Sequence, residues 1–256
     1  MAKDPKTVAP GSHGIRAQRF AAFALGLSLV AALMLLVSGP GNRFEWWGYR
    51  TAFGIMAWAA WTGVGGALVS LIMAAWTLHR GHRKASAIAF AGVLVGAAVF
   101  SFPMVMRSNA GAVPPIHDIS TDTENPPELV AVLPRRAGLN TAVYGGPELA
   151  AQQKKGYPDI APLMLALAPA AAFERCLATA RALGWDIVDA KPEALRFEAT
   201  DTTVFFGFRD DVVVRITAVG TGSRVDVRSV SRVGRSDLGM NAKRIRGFLA
   251  RLTAGT

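Results

Sequence analysis

The polar chemistry of this chain is concentrated in one stretch, Val227-Arg228-Ser229-Val230-Ser231-Arg232-Val233-Gly234-Arg235-Ser236-Asp237-Leu238-Gly239-Met240-Asn241-Ala242-Lys243-Arg244-Ile245. Read as a strand end, a glycine turn and a helix start, it places Arg228 and Arg232 on one face of the strand and Ser229 and Ser231 on the other. Two arginines on one face can hold an anion, and the helix start adds unpaired backbone N–H groups and a positive dipole end. Arg244 lies within the first two turns of that helix and can join. The candidate ligand-binding set is therefore Arg228, Ser229, Ser231, Arg232, Asp237, Asn241 and Arg244. The same residues have a purely structural reading, in which Asp237 caps the helix, nearby Asp210, Asp211 and Asp226 neutralise the arginines, and the serines are hydrogen-bonded.

Catalytic chemistry has less footing. The only histidine after residue 107 is His117, so a Ser-His-Asp arrangement would have to draw on it. Cys176 falls on the apolar stripe of a helix, where a thiol is packed and not poised for attack. Asp210-Asp211 reads as turn chemistry, and Asp118 and Asp122 can cap or pair as readily as act as acid and base. There is no metal-ligand spacing, phosphate loop or dinucleotide fingerprint. With one cysteine there is no intramolecular disulfide. No cofactor is expected.

The elements that position these groups follow from composition. Of 256 residues, 51% are hydrophobic and 18% charged, against about a quarter charged in an ordinary soluble domain. The apolar excess is collected in three uncharged runs, 20–37, 51–78 (its apolar core from 53) and 85–106. Each is long enough to cross a hydrocarbon layer of about 30 Å at about 1.5 Å per residue. The first exceeds the roughly 7–15 residues of a signal core and is followed by Ser38-Gly39-Pro40-Gly41, not an Ala-x-Ala site, so it reads as a retained span. Lys3, Lys6, Arg16 and Arg19 precede it, and His79-Arg80-Gly81-His82-Arg83-Lys84 joins the second and third runs. Both flanks should be cytoplasmic, which puts everything after Met106 outside: the periplasm of a bacterium, or the outer face of its plasma membrane. Trp46, Trp47 and Tyr49 suit a membrane interface. No run carries an ionisable residue, so ion or proton translocation is not expected. Small residues recur at fourfold spacing (Ala59, Gly63, Ala67; Gly66, Ser70, Ala74; Gly92, Gly96), fit either for packing among the three spans or for a homo-oligomer through spans two and three.

The net charge of +10 is mostly an orientation signal. Residues 1–107 carry ten basic and two acidic residues, and residues 108–256 carry eighteen and sixteen, so a nucleic-acid partner loses its support. Three regions are expected: a membrane anchor (1–107), a proline-rich extended arm packed on the domain (108–168), and an α+β core (169–256). In the core, a helix opens at Pro169 and stops at Gly184. Strand-like segments follow at 185–189, 195–199, 202–208, 212–219 and 224–233, joined by short connections that favour antiparallel neighbours. A closing helix begins near Ser236 or Asp237, with Leu238, Ile245, Phe248, Leu249 and Leu252 as its stripe. The two helices should cover one face of a four- to five-stranded antiparallel sheet, with Val204, Phe206, Phe208, Val212, Val214 and Ile216 pointing to that core. Phe205, Val213 and Val219 fall on the other face, which the arm covers or which forms an apolar groove.

Several separated motifs carry a resemblance. The Arg228-to-Asn241 stretch, Ile116-His117-Asp118-Ile119-Ser120-Thr121-Asp122 through Asn125-Pro126-Pro127, Tyr157-Pro158 and Gly184-Trp185, in this order along the chain, resemble the bacterial family catalogued as domain of unknown function 1499, over roughly residues 115–252. The resemblance implies no established activity, and the three-span anchor looks like a membrane-bound form. The leading expectation is a non-enzymatic multi-pass protein of the bacterial inner membrane, its N-terminus cytoplasmic and its C-terminal domain exported, binding an anionic or amphiphilic envelope component or an envelope protein. An oligomeric scaffold or assembly factor, and an envelope hydrolase or transferase using Asp118, Asp122 or the Arg228-to-Asp237 cluster, are the alternatives.

Overall fold

The computed structural model describes residues 12–136 and 140–254; Lys3 and Lys6 of the N-terminal flank lie outside them. The chain divides into two compact units, 1–107 and 108–256. The described residues of the first hold three helices long and apolar enough to cross a membrane: α1 (Ser12–Arg43), α2 (Tyr49–His79) and α3 (Arg83–Gly111), the last running into the second unit. All three extend past the uncharged runs, because hydropathy marks the stretch that suits hydrocarbon while the helix continues into its polar flanks. Pro40 sits inside the last turn of α1, where Trp47 folds back and donates its indole N–H to the Ser38 carbonyl at 3.1 Å.

Glycine sets how closely these helices approach. A Cβ on Gly96 would stand 2.4 Å from the Gly63 carbonyl oxygen, and one on Gly92 would meet the Ser70 hydroxyl at 2.3 Å. A Cβ on Gly66 would meet Ser28 of α1 at 2.6 Å. The small-residue stripes of α2 and α3 are thus filled by helices of the same chain.

The second unit is an antiparallel sheet with helices. Its strands are β1 (Asp118–Ser120), β2 (Leu163–Leu165), β3 (Asp186–Lys191), β4 (Arg196–Thr202), β5 (Arg209–Val219) and β6 (Gly222–Ser231). The order is β1-β6-β5-β4-β3, and β2 shares the outer side of β6 with β1. The described residues form six strands, one more than the upper expectation, because β1 and β2 come from the 108–168 segment. At three residues each they are too short to show alternation. That segment is also less extended than expected: it holds α4 (Gly146–Gly156) and a 3₁₀ turn at Leu133–Arg136.

Helices α5 (Pro169–Ala182) and α6 (Met240–Ala254) lie on one face of the sheet. Phe173, Cys176 and Leu177 of α5 and Ile245, Phe248 and Leu252 of α6 form one core with Phe197, Val212, Val214, Ile216, Val225 and Val227. Gly184 ends α5 at φ +81°, with the Gly184 and Trp185 amides closing onto the Arg181 and Ala180 carbonyls, a Schellman stop. On the opposite face Leu129 and Val132 pack on Val213 and Val230.

Three local expectations are corrected. Thr203–Phe208 is a turn and not a strand, since Gly207 at φ +68° lets the chain reverse. Val204 is consequently 88% exposed, while Phe206 is buried and stacks on Phe208. Asp210 and Asp211 are buried residues of β5, not turn residues. α6 begins three residues after Asp237; Leu238 and Gly239 take positive φ between them, which leaves Leu238 partly exposed and off the apolar stripe.

Candidate functional site

β6 carries Arg228, Ser229 and Ser231, Arg232 follows directly, Asp237 lies in the connection to α6, and Asn241 and Arg244 are on α6; the neighbours of β6 decide their partners. Register pairs Val212 with Ser229, Asp210 with Ser231, Val213 with Arg228 and Asp211 with Val230. In an antiparallel sheet directly opposed residues share a face. Ser229 and Ser231 therefore face α6, and Arg228 and Arg232 face away from it. The seven residues are divided by the sheet into two polar clusters.

On the side away from the helices, Arg228 is the largest fully buried side chain. Its Nε and Nη2 donate to the two oxygens of Asp118 at 2.9 and 2.7 Å. The remaining donors reach the Pro127 and Ala142 carbonyls at 3.1 and 2.8 Å, and the guanidinium lies 5.3 Å from the Tyr144 ring centre. Burial, followed by the charge of Asp118, pushes the Tyr144 hydroxyl up to about 12. Arg232 makes a second forked pair, with Asp211 at 3.0 and 2.7 Å. Asp211 also accepts from Thr200 at 2.8 Å and from Arg136. Burial alone would raise its pKa, but these donors outweigh it and hold the carboxyl below its usual range. Charge-assisted forked pairs of this kind are the strong ones.

Asp122 belongs to the same side. Its Oδ1 accepts the Glu124 and Asn125 amides at 3.2 and 2.9 Å, and Arg215 and Arg224 reach its Oδ2 at 3.0 and 2.8 Å. Burial opposes ionisation, yet the backbone donors and the two arginines hold its pKa low. Asp226 pairs with the same two arginines. Glu198 accepts the Val130 and Val132 amides at 2.9 and 3.0 Å, tying the 108–168 segment to β4.

On the helix side, Arg244 is held by Asp201 at 2.7 Å and Asp210 at 2.6 Å, and also donates to Asn241 Oδ1 at 2.6 Å and Ser229 Oγ at 3.1 Å. Burial disfavours its charge, but the two carboxylates raise its pKa above the usual arginine value. Asn241 is fully used: its oxygen also accepts Ser229 Oγ at 2.7 Å, and its nitrogen donates to Ser231 Oγ at 3.0 Å and the His117 carbonyl at 2.9 Å. Asp237 accepts the Asn241 and Gly239 amides at 2.6 and 2.9 Å, capping α6. Its burial nevertheless raises its pKa.

An anion reaching Arg228 or Arg232 would have to displace a carboxylate already bound through both oxygens. The carboxylates named for acid–base work, Asp118 and Asp122, act as counter-ions to arginines. Cys176 is fully buried and its thiol is pushed up to about 12 by burial, so it carries no thiolate at neutral pH. The residues that sequence reasoning missed include Arg136, Thr200, Asp201, Glu198, Arg215 and Arg224. Only the short β4 pattern held a hint of them, since a buried strand with Glu198 and Thr200 on one face calls for partners there.

An open cleft of about 350 Å³ lies beside these clusters, lined by His117, Thr141, Val143, Glu148, Gln152 and Arg235 among others. Val143 is 77% exposed. The His117 ring nitrogen Nδ1 stands 3.4 Å from the Arg235 carbonyl oxygen. Among the described residues no group of three or more His, Cys, Asp or Glu is placed to hold a metal ion.

No curated protein matches the chain. Residues 118–252, which run from the first residue of β1 into the last turn of α6, match the family model described as protein of unknown function DUF1499, and the chain belongs to that family.

Proposed function

We propose that the protein is a multi-pass protein of the bacterial plasma membrane, with a cytoplasmic N-terminus and an exported C-terminal domain that binds an amphiphilic, anionic envelope component and does not catalyse. The observation that carries this reading is the contrast between the buried clusters and the cleft. Arg228, Arg232, Arg244, Ser229 and Asn241 are each committed to internal partners, whereas the cleft offers Arg235 and His117 beside the apolar Val143. A ligand with an acidic group and an apolar portion suits that lining, and Glu148 disfavours one carrying several negative charges. Basic flanks before α1 and between α2 and α3 support the orientation.

The test is native mass spectrometry of the full chain extracted from its own membrane, wild type against Val143→Asp and Arg235→Glu. A small amphiphile retained by the wild type and lost from both variants is expected. An identical ligand-free spectrum for all three would remove the proposal.

A further inference from the structure

A second cavity, of about 380 Å³, lies in the helical unit, between the first turns of α1 and the turn joining α2 to α3. Its polar lining is His13 and Gln18 from α1, His82 from the turn, and Arg83 and Lys84 from the first turn of α3. Ala85, which also lines it, belongs to a close-packed cluster with Ala17, Ala21 and Ala89. The cavity therefore has a cationic rim directly against the apolar bundle, as at the boundary between headgroups and hydrocarbon.

The turn is held in place. Gly81 takes φ +74°, the His82 amide donates to the Thr77 carbonyl at 2.8 Å, and the Thr77 and Ser86 hydroxyls are bonded at 2.9 Å. The amino end of α3 adds its own positive dipole end beside Arg83 and Lys84. Among the described residues, neither Arg83 nor Lys84 has a carboxylate partner. The one acid described in this unit, Glu45, follows the far end of α1, about 48 Å away along a 32-residue helix at about 1.5 Å per residue.

We propose that this cavity binds the phosphate of an anionic phospholipid headgroup, with Arg83 and Lys84 on the phosphate, His13, His82 and Gln18 as further donors, and the acyl chains running along the bundle. Basic pockets between membrane helices are a recurrent way of holding such headgroups. The inference is independent of the cleft in the second unit and of which side of the membrane this end faces.

The experiment places the full chain in nanodiscs of phosphatidylcholine doped with phosphatidylglycerol and counts retained lipids by native mass spectrometry. Wild-type protein should keep phosphatidylglycerol in preference to phosphatidylcholine. R83Q/K84Q should lower that retention at least about tenfold, given two lost cations at an anionic surface. R16Q/R80Q removes the same charge from residues that do not line the cavity and should lower retention clearly less than R83Q/K84Q does. R83K should retain the lipid, which keeps the test informative if the double variant misfolds; helicity by circular dichroism reports that. Equal loss in the two double variants, no loss in R83Q/K84Q, loss in R83K, or displacement of the lipid by excess inorganic phosphate would overturn the proposal.

Discussion

Truncating either member of the Arg228–Asp118 pair should destabilise the second unit severely, while replacing both together should not. Arg228 is 1% exposed and Asp118 4%. Arg228→Ala leaves a buried carboxylate beside the Tyr144 ring with its two forked bonds gone. Asp118→Ala leaves a buried guanidinium with only the carbonyls of Pro127 and Ala142. Breaking a buried pair from one side costs about 3–5 kcal/mol, whereas exchanging the whole pair for apolar residues of similar volume is neutral or even stabilising. At about 2–4 °C per kcal/mol for a unit of this size, each single change should lower the unfolding temperature by about 6–20 °C. Arg228→Met with Asp118→Leu should recover most of that, giving a coupling energy of several kcal/mol. Hydrogen exchange of the β5 and β6 amides in the detergent-solubilised full chain reads opening of this sheet separately from the helices. If Arg228→Ala left those amides as protected as in the wild type and instead emptied the protein of a bound component, Arg228 would be a ligand group and the pairing argument would be wrong.

Other outcomes follow from single sites. Cys176 should resist thiol reagents at neutral pH in the native protein and react at once in denaturant, because burial both hides it and pushes its pKa to about 12; labelling of the native thiol at the rate of a free cysteine would contradict the packing. Asp122 is held below its unfolded pKa of about 3.9, so its contribution is fully present above that value and is lost as pH falls through the lowered one. The stability difference between wild type and Asp122→Asn should therefore be largest at neutral pH and shrink below about pH 4, and a difference that is flat with pH would show that the ion pairs contribute nothing. Gly96→Leu should separate α2 from α3, since even a Cβ there meets the Gly63 carbonyl; unchanged disulfide trapping between cysteines placed at 67 and 93 would count against the close approach.

What could be read from the sequence was whatever depends on near neighbours. The three apolar runs, the Pro169 start and Gly184 stop of α5, and the opposed faces of Arg228/Arg232 and Ser229/Ser231 all rest on periods of two to four residues. What could not be read were the partners. Asp118 reaches Arg228 across 110 residues of chain, and Arg136 reaches Asp211 across 75. No local pattern records that. Adjacent acidic residues read as a turn because exposed aspartates favour turns, and only the arrival of Arg232 and Arg244 on opposite faces makes Asp211 and Asp210 tolerable inside β5. The cleft was equally hidden, because its walls come from β1, the 141–152 segment and the β6–α6 connection.

The long reach of these pairs also bears on the order in which the unit can mature. Asp118, Asp122 and Arg136 leave the ribosome well before Arg228 and Arg232. At about 5–20 residues per second the first carboxylate waits on the order of 5–20 s for its guanidinium. During that interval β5 has no β6 to pair with, Asp211 has no Arg232, and the surfaces of Val213 and Leu129 stay wet. A chain cut short before β6 cannot settle into a smaller stable form, because each half of the buried charge is left without the other. The unit is thus completed only when β6 arrives, and a partner or chaperone that shields the earlier segment would act in that window.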